Sequence, residues 1–219
     1  MPNRPEGEFK HSRLILCEGP DDVTFLSELI KFHSLPTSHI RFTGSTRADR
    51  GGKSRFGEKL KRLRTDRGFR RRIRHILIVA DSDENEDGSF RGIRRQIANA
   101  DYVAPTALRQ AGIGSPQISV FLIPPAASGC LECYLKESMQ AADPNVAALV
   151  DAFVDDVTKG VWSDVQEGKL WFRAALAAFS QNDPCINLAP ALLRRNQNVA
   201  LLDHVSLNGL VTFLRTFGL

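Results

Sequence analysis

The sequence predicts an α/β fold: a mostly parallel sheet with helices on both faces, followed by a helical extension. Three observations carry this. Leu14–Cys17, Ile76–Ala80 and Ile118–Ile123 are short unbroken apolar runs, as expected of strands buried on both faces of a parallel sheet. Between them apolar residues recur at helical spacing, and parallel strands need such covering crossovers. From about residue 141 the strand signal disappears. A chain of 219 residues with 42% hydrophobic and 25% charged content can build one substantial core, which excludes disordered and collagen-like classes.

Taken in order, Leu14–Cys17 stops at Glu18-Gly19-Pro20, and Val23, Leu26, Leu29 and Ile30 then mark a helix with Asp21 and Asp22 in its first turn. Glycine at 19 is expected to permit a tight turn. Ile40–Thr43 reads as a short strand, followed by a loop holding Gly44, Gly51 and Gly52. Phe56, Leu60 and Leu63 are the buried stripe of a basic helix. Ile76–Ala80 is the central strand, ending at Asp81-Ser82-Asp83, and Phe90, Ile93 and Ile97 indicate the next helix. Ile118–Ile123 halts at Pro124-Pro125, a small-residue loop spans 126–130, and Leu131–Met139 is helical. Val146–Val157, Lys169–Phe179 and Leu207–Phe217 are the helices of the extension. The expected division is an α/β domain over residues 10–140 and a helical part over 141–219 packed on the same domain, since Trp171, Phe172, Leu176 and Phe179 need burial. Trp162 and the phenylalanines are also expected in the core.

Charge is unevenly spread. Residues 41–75 hold 14 basic and 3 acidic side chains, a net of +11, which leaves −7 for the remainder. Lys53, Arg55, Arg64, Arg67 and Arg71 are the candidate contacts to a nucleic-acid backbone, against the plainer reading of a solvated helix and loop. Met1–Lys10 is polar and no run of about 18 apolar residues occurs, so a soluble cytoplasmic chain without membrane contact is expected. Cys17, Cys130, Cys133 and Cys185 are then expected as reduced thiols, with Cys130 and Cys133 packing at a helix start.

Ligands of open α/β sheets bind beyond the carboxyl ends of the strands, and those positions here are acidic. Glu18 follows the first strand, Asp81 and Asp83 follow the central one, and Glu132 opens the helix after the loop that follows the last. Asp22, four residues after Glu18, can return a second carboxylate toward the first. Two such charges repel by about 4 kcal/mol at ~4 Å and an effective dielectric near ~20, so a positive partner is expected among them. Hard oxygen ligands without supporting histidines select Mg²⁺ or Mn²⁺. The five histidines, His11, His33, His39, His75 and His204, are scattered, which removes support for zinc or serine hydrolases. Gly51-Gly52-Lys53-Ser54 lacks the first glycine of a phosphate loop, because that position is Arg47.

The segments Leu14-Ile15-Leu16-Cys17-Glu18-Gly19-Pro20-Asp21-Asp22 and Ile78-Val79-Ala80-Asp81-Ser82-Asp83 resemble the TOPRIM domain of topoisomerases, bacterial primases and OLD-type nucleases. Pro124–Leu135 and the helical tail further resemble small stand-alone bacterial TOPRIM-like proteins, over roughly residues 12–217. The resemblance implies a Rossmann-like TOPRIM sheet, an acid/base or metal-ligand role for Glu18, and Mg²⁺ binding by Asp81 and Asp83. It further implies a second-metal role for Asp22 and Glu132, and a catalytic lysine, for which Lys169 is the candidate. Asn85 stands where several relatives have a glutamate, with Glu84 beside it, and no domain carrying a catalytic tyrosine fits in the chain, so topoisomerase activity is not expected. The leading expectation is a Mg²⁺-dependent nuclease or related phosphotransferase acting on DNA or RNA. The runner-up is a catalytically silent TOPRIM-like binding module working with a partner ATPase. A third reading makes Asp81 a phosphorylated aspartate, as in receiver or haloacid-dehalogenase-like sites, and leaves Glu18 and Glu132 without roles.

Overall fold

The structure is a computed structural model that describes residues 9–45, 49, 51–158, 161–180, 185, 188 and 201–218. The polar start before Phe9, together with Arg47 and Arg50 of the basic segment, lies outside the described residues. Four strands, β1 (Arg13–Cys17), β2 (His39–Phe42), β3 (His75–Asp81) and β4 (Gln117–Ile123), form one parallel sheet in the order β2-β1-β3-β4. The interleaved helices are α1 (Pro20–Phe32), α2 (Phe56–Thr65), α3 (Arg67–Arg72) and α4 (Glu86–Asn99). After β4 come α5 (Leu131–Ala142), α6 (Pro144–Thr158), α7 (Asp164–Phe179) and α8 (Asn208–Thr216).

The sheet order explains where each helix lies. From β1 the chain steps outward to β2, then crosses back over β1 to β3 and continues to β4. Right-handed crossovers in opposite directions put their helices on opposite faces. Thus α1 lies on one face and α2, α3 and α4 lie on the other. Alternate strand residues serve the two sides, since Leu14, Leu16, Ile76, Ile78, Ala80, Val120 and Leu122 pack with Phe56, Leu60, Phe69, Ile93 and Ile97. Ile15, Cys17, Leu77, Val79, Phe121 and Ile123 face the other way.

A single crossover helix cannot cover that second face. The C-terminal helices do so: Tyr134, Leu135, Trp171, Phe172, Leu176, Leu210 and Leu214 share one apolar cluster with the strands and with Phe25, Leu26 and Leu29 of α1. The Trp171 indole N–H donates to Asp151 at 2.8 Å, which ties α7 to α6. Trp162 departs from expectation, being 43% exposed in the turn between those helices. Helix α7 also begins five residues before Lys169, because Ser163 caps it reciprocally with Gln166. No described helix is long and apolar enough to cross a membrane.

Candidate acidic site at the carboxyl rim

Strand register creates the site. Arg13 of β1 is level with His75 of β3 and Leu16 with Ile78, so Glu18, one residue past β1, comes level with Ala80 and beside Asp81. This is the point where the sheet order reverses, the place at which open α/β sheets form a crevice. Asp81 N–H donates to Glu18 Oε1 at 2.9 Å, and Leu131 N–H at the start of α5 donates to Asp81 Oδ1 at 2.9 Å. Gly19 N–H donates to Asp22 Oδ2 at 2.8 Å, turning that carboxylate back toward Glu18. Gly19 itself is extended, at φ −135°, a conformation open to any residue. The tight-turn requirement expected of it is therefore absent.

The glycines that matter lie in the loop after β2. Gly51 has φ +76°, and a Cβ there would sit 2.4 Å from the Glu18 carbonyl oxygen. Gly52 N–H donates to that same carbonyl, and Thr43 Oγ1 donates to it as well. This close approach delivers Lys53 to the acids. Its Nζ donates to the Asp81 carbonyl at 2.6 Å, Asp83 Oδ2 at 2.8 Å and Ser89 Oγ at 2.5 Å. By charge alone Lys53 is expected on a nucleic-acid backbone. The available clue was position, since a loop that follows a parallel strand emerges at the same rim as the acids.

Asp83 has φ +52°, sparsely populated for a residue with a side chain, and its backbone is pinned by two hydrogen bonds with Gly129 at 2.7 and 2.6 Å. The buried Ser82 hydroxyl holds the same loop through Ala127 at 2.6 Å. Asn85 caps α4 by accepting from Gly88 N–H at 2.9 Å. The position where a further glutamate would belong is thus a helix cap.

The electrostatics follow from burial. Burial, followed by the charges of Glu18, Asp22 and Glu132, pushes Asp81 up to about 9. Burial, with Glu18, Glu132 and Asp21, raises Asp22 to about 7. Glu18 is raised chiefly by burial, against the Asp81 N–H and Lys53, which favour its charged form. Lys169 is drawn down by burial, yet Cys130, Glu132, Asp81 and Asp83 more than offset this and leave it above its ordinary value. It lies within α7 and not at a helix start, while Lys53 makes the direct contacts. Glu18, Asp22, Asp81, Asp83 and Glu132 therefore share one rim. Among the described residues, however, no three acidic, histidine or cysteine side chains gather around a common point. Glu18, Asp22 and Asp81 each turn an oxygen to a main-chain N–H instead. By chemical type these oxygen donors suit a hard divalent cation, since buried carboxylates that raise one another's proton affinity would be relieved by one, but as placed they are not gathered on a single point.

From Lys53 and Asp83 a cleft of about 750 Å³ opens between the starts of α4 and α7, lined also by Ser89, Gly92, Gln96 and Gln166. A family model described as "Protein of unknown function (DUF3226)" matches residues 12–218. The chain belongs to this DUF3226 family. Neither the curated proteins nor the solved structures offer a match. The DUF3226 match spans both the strand-end acids and the C-terminal helices that cover the sheet.

The predicted basic contacts divide between two places. Lys53 and Arg55 lie near the acids, with Arg55 paired to Asp49 and to Glu58 at 3.6 Å. Arg64 is instead at the far end of α2, paired with Asp101 at 2.6 Å beside the last turn of α4. Arg67 and Arg71 are exposed on α3, which leads into the beginning of β3. At ~3.3 Å per residue the length of β3 puts them about 20 Å from Asp81. The expectation that the whole segment lies beside the site therefore holds only for its first part, because α2 runs back along the sheet. Histidines 11 and 39 also come together at that amino end, where Lys10 and His11 N–H groups donate to His39 Nε2 at 2.8 and 3.0 Å.

Proposed function

We propose that the protein is a Mg²⁺- or Mn²⁺-dependent nuclease or related phosphotransferase acting on DNA or RNA, working at the Glu18–Asp81 rim through a TOPRIM-like acidic site. One observation carries the reading: at the sheet's switch point the main-chain N–H of Asp81 donates to the carboxylate of Glu18, 63 residues earlier, at 2.9 Å, and the charges of Glu18, Asp22 and Glu132 are close enough to raise the proton affinity of the Asp81 side chain. Glu18, Asp81 and Asp83 would hold one ion, and Asp22 and Glu132 would help hold a second. When bound, such ions supply a nucleophilic hydroxide and charge stabilisation on the transferring phosphate. The chain's own residues supply the rest. Glu18 is the acid/base group, and Lys53 and Lys169 offset charge beside Asp83 and Glu132.

The test is incubation of purified protein with Mg²⁺ or Mn²⁺ and mixed DNA and RNA, beside Glu18→Gln. Metal-dependent cleavage lost in the variant supports the reading, and equal cleavage by both forms sinks it. A second reading, a silent binding module working with a partner ATPase, is favoured by the side chains resting on main-chain N–H groups and not around a common point. Calorimetry showing no heat with millimolar Mg²⁺ or Mn²⁺ would select it.

A further inference from the structure

Beside the acids lies a dithiol that the proposed chemistry does not use. Cys130 is the residue before the first turn of α5, extended at φ −140° and ψ 178°, and Cys133 is the third residue of that turn. A side chain before a helix reaches toward the third residue inside it, which is why polar residues cap there. Here the reach brings two sulfurs to 3.4 Å. Cys130 is fully buried and Cys133 partly exposed. The slot for Cys133 is made by α7, since a Cβ on Gly168 would stand 2.3 Å from its sulfur.

The two cysteines bracket Leu131 and Glu132. Leu131 N–H is the group that holds Asp81 Oδ1, and Gly129, just before Cys130, is bonded on both sides to Asp83. Any movement of this helix start is therefore transmitted to both aspartates. We infer that Cys130 and Cys133 form a reversible disulfide, a redox modification site whose closure shifts the Leu131 amide and with it the setting of Asp81.

The oxidant class is a low-molecular-weight disulfide. Cys133, the partly exposed member of the pair, attacks it and releases one small thiol, leaving a mixed disulfide on the protein. Cys130 then displaces the second small thiol as its own proton leaves. Two protein thiols are oxidised, and the external disulfide is reduced to two thiols. Closing the sulfur separation from 3.4 Å to ~2.05 Å takes side-chain rotation together with a shift of the helix start, and the second part is what the Leu131 amide reads out. A transient disulfide of this kind suits a reducing compartment, where thiol pairs act as sensors and not as staples.

The full chain is equilibrated with graded mixtures of reduced and oxidised glutathione, trapped by alkylation, and mapped by mass. The expected product has the peptide containing both cysteines lighter by two hydrogens and unalkylated, with Cys17 unaffected. Cys130→Ser, which places a residue favoured before a helix at a position where cysteine makes no capping bond, is expected to hold glutathione on Cys133, and Cys133→Ser to resist modification. A persistent glutathione adduct on the unsubstituted protein, or a disulfide formed through Cys17 or Cys185, overturns the inference. Hydrogen exchange at the Leu131 amide tests the coupling without metal or substrate. Loss of its bond to Asp81 should speed exchange roughly tenfold in the oxidised form. Unchanged exchange would overturn the link to Asp81. Because neither readout uses cleavage, loss of the nuclease reading and loss of this one are separable.

Discussion

The two rims of the sheet carry opposite charge, and they do so in different ways. At the carboxyl rim, Asp21 and Asp22, Glu86 and Asp87, and Glu132 occupy the first turns of α1, α4 and α5. At the amino rim, Arg62 and Arg64 end α2, and Arg70, Arg71 and Arg72 end α3. Part of this segregation is complementarity to the helix dipoles, which favours acids at helix starts and bases at helix ends. Arg74 illustrates it by donating to the Arg71 carbonyl at 3.0 Å and the Ile73 carbonyl at 3.1 Å. What distinguishes the carboxyl rim is burial. Its acids raise one another's proton affinity, whereas the arginines of α3 stand in water. Sign alone does not mark a candidate site; like charges buried against one another do.

The largest effect should come from Asp81→Asn. Metal-dependent cleavage in a gel or fluorogenic assay is expected to fall by at least ~10²-fold with circular dichroism unchanged. An equal loss from Arg71→Ala at saturating substrate would erase the contrast between the rims.

Stability should next depend on pH in an unusual sense when divalent ions are chelated. Asp22 and Asp81 sit at about 7 and about 9 against an ordinary 3.8, so the folded chain binds more protons than the unfolded one between those values. Their contribution is complete below about pH 4 and is lost as pH rises through about 7 and then about 9. Thermal melting followed by circular dichroism should therefore drop by several degrees over that span. Asp81→Asn should flatten its upper part. Added Mg²⁺ should reverse the drop, because an ion takes the place of the bound protons.

A smaller effect is expected from Gly51→Ala, which forces a Cβ against the Glu18 carbonyl at a positive φ. Denaturant unfolding should show a loss of about 1–3 kcal/mol. The smallest effect on stability, within ~0.5 kcal/mol, belongs to the double variant Arg67→Ala/Arg71→Ala, whose side chains are exposed. Its readout is the salt dependence of nucleic-acid binding. If both contact phosphates, the slope of log affinity against log salt should fall by roughly 1.8. An unchanged slope would leave those arginines as solvated helix ends.

Much of the fold was legible because buried parallel strands must be apolar without interruption. Ile76–Ala80 and Ile118–Ile123 could therefore be placed within a residue or two of β3 and β4. The start of α7 was misplaced because its signal is a polar pair, Ser163 and Gln166, and not an apolar stripe. Within the site, the shared rim of Glu18, Asp81 and Asp83 was readable from strand ends. The role of Asn85 as a cap and the seat of Lys53 were not, since each depends on a partner supplied by a turn or by a distant element.

The sequence by itself determined which residues are buried in strands and that acids follow those strands, because apolar runs and their polar stops are local properties of the chain. Tertiary structure alone decided that Lys53 meets Asp83, that Leu131 holds Asp81, and that the arginines of α3 lie at the opposite rim. Those outcomes depend on register, crossover direction and helix course, which relate residues far apart in the chain and leave no trace in local composition.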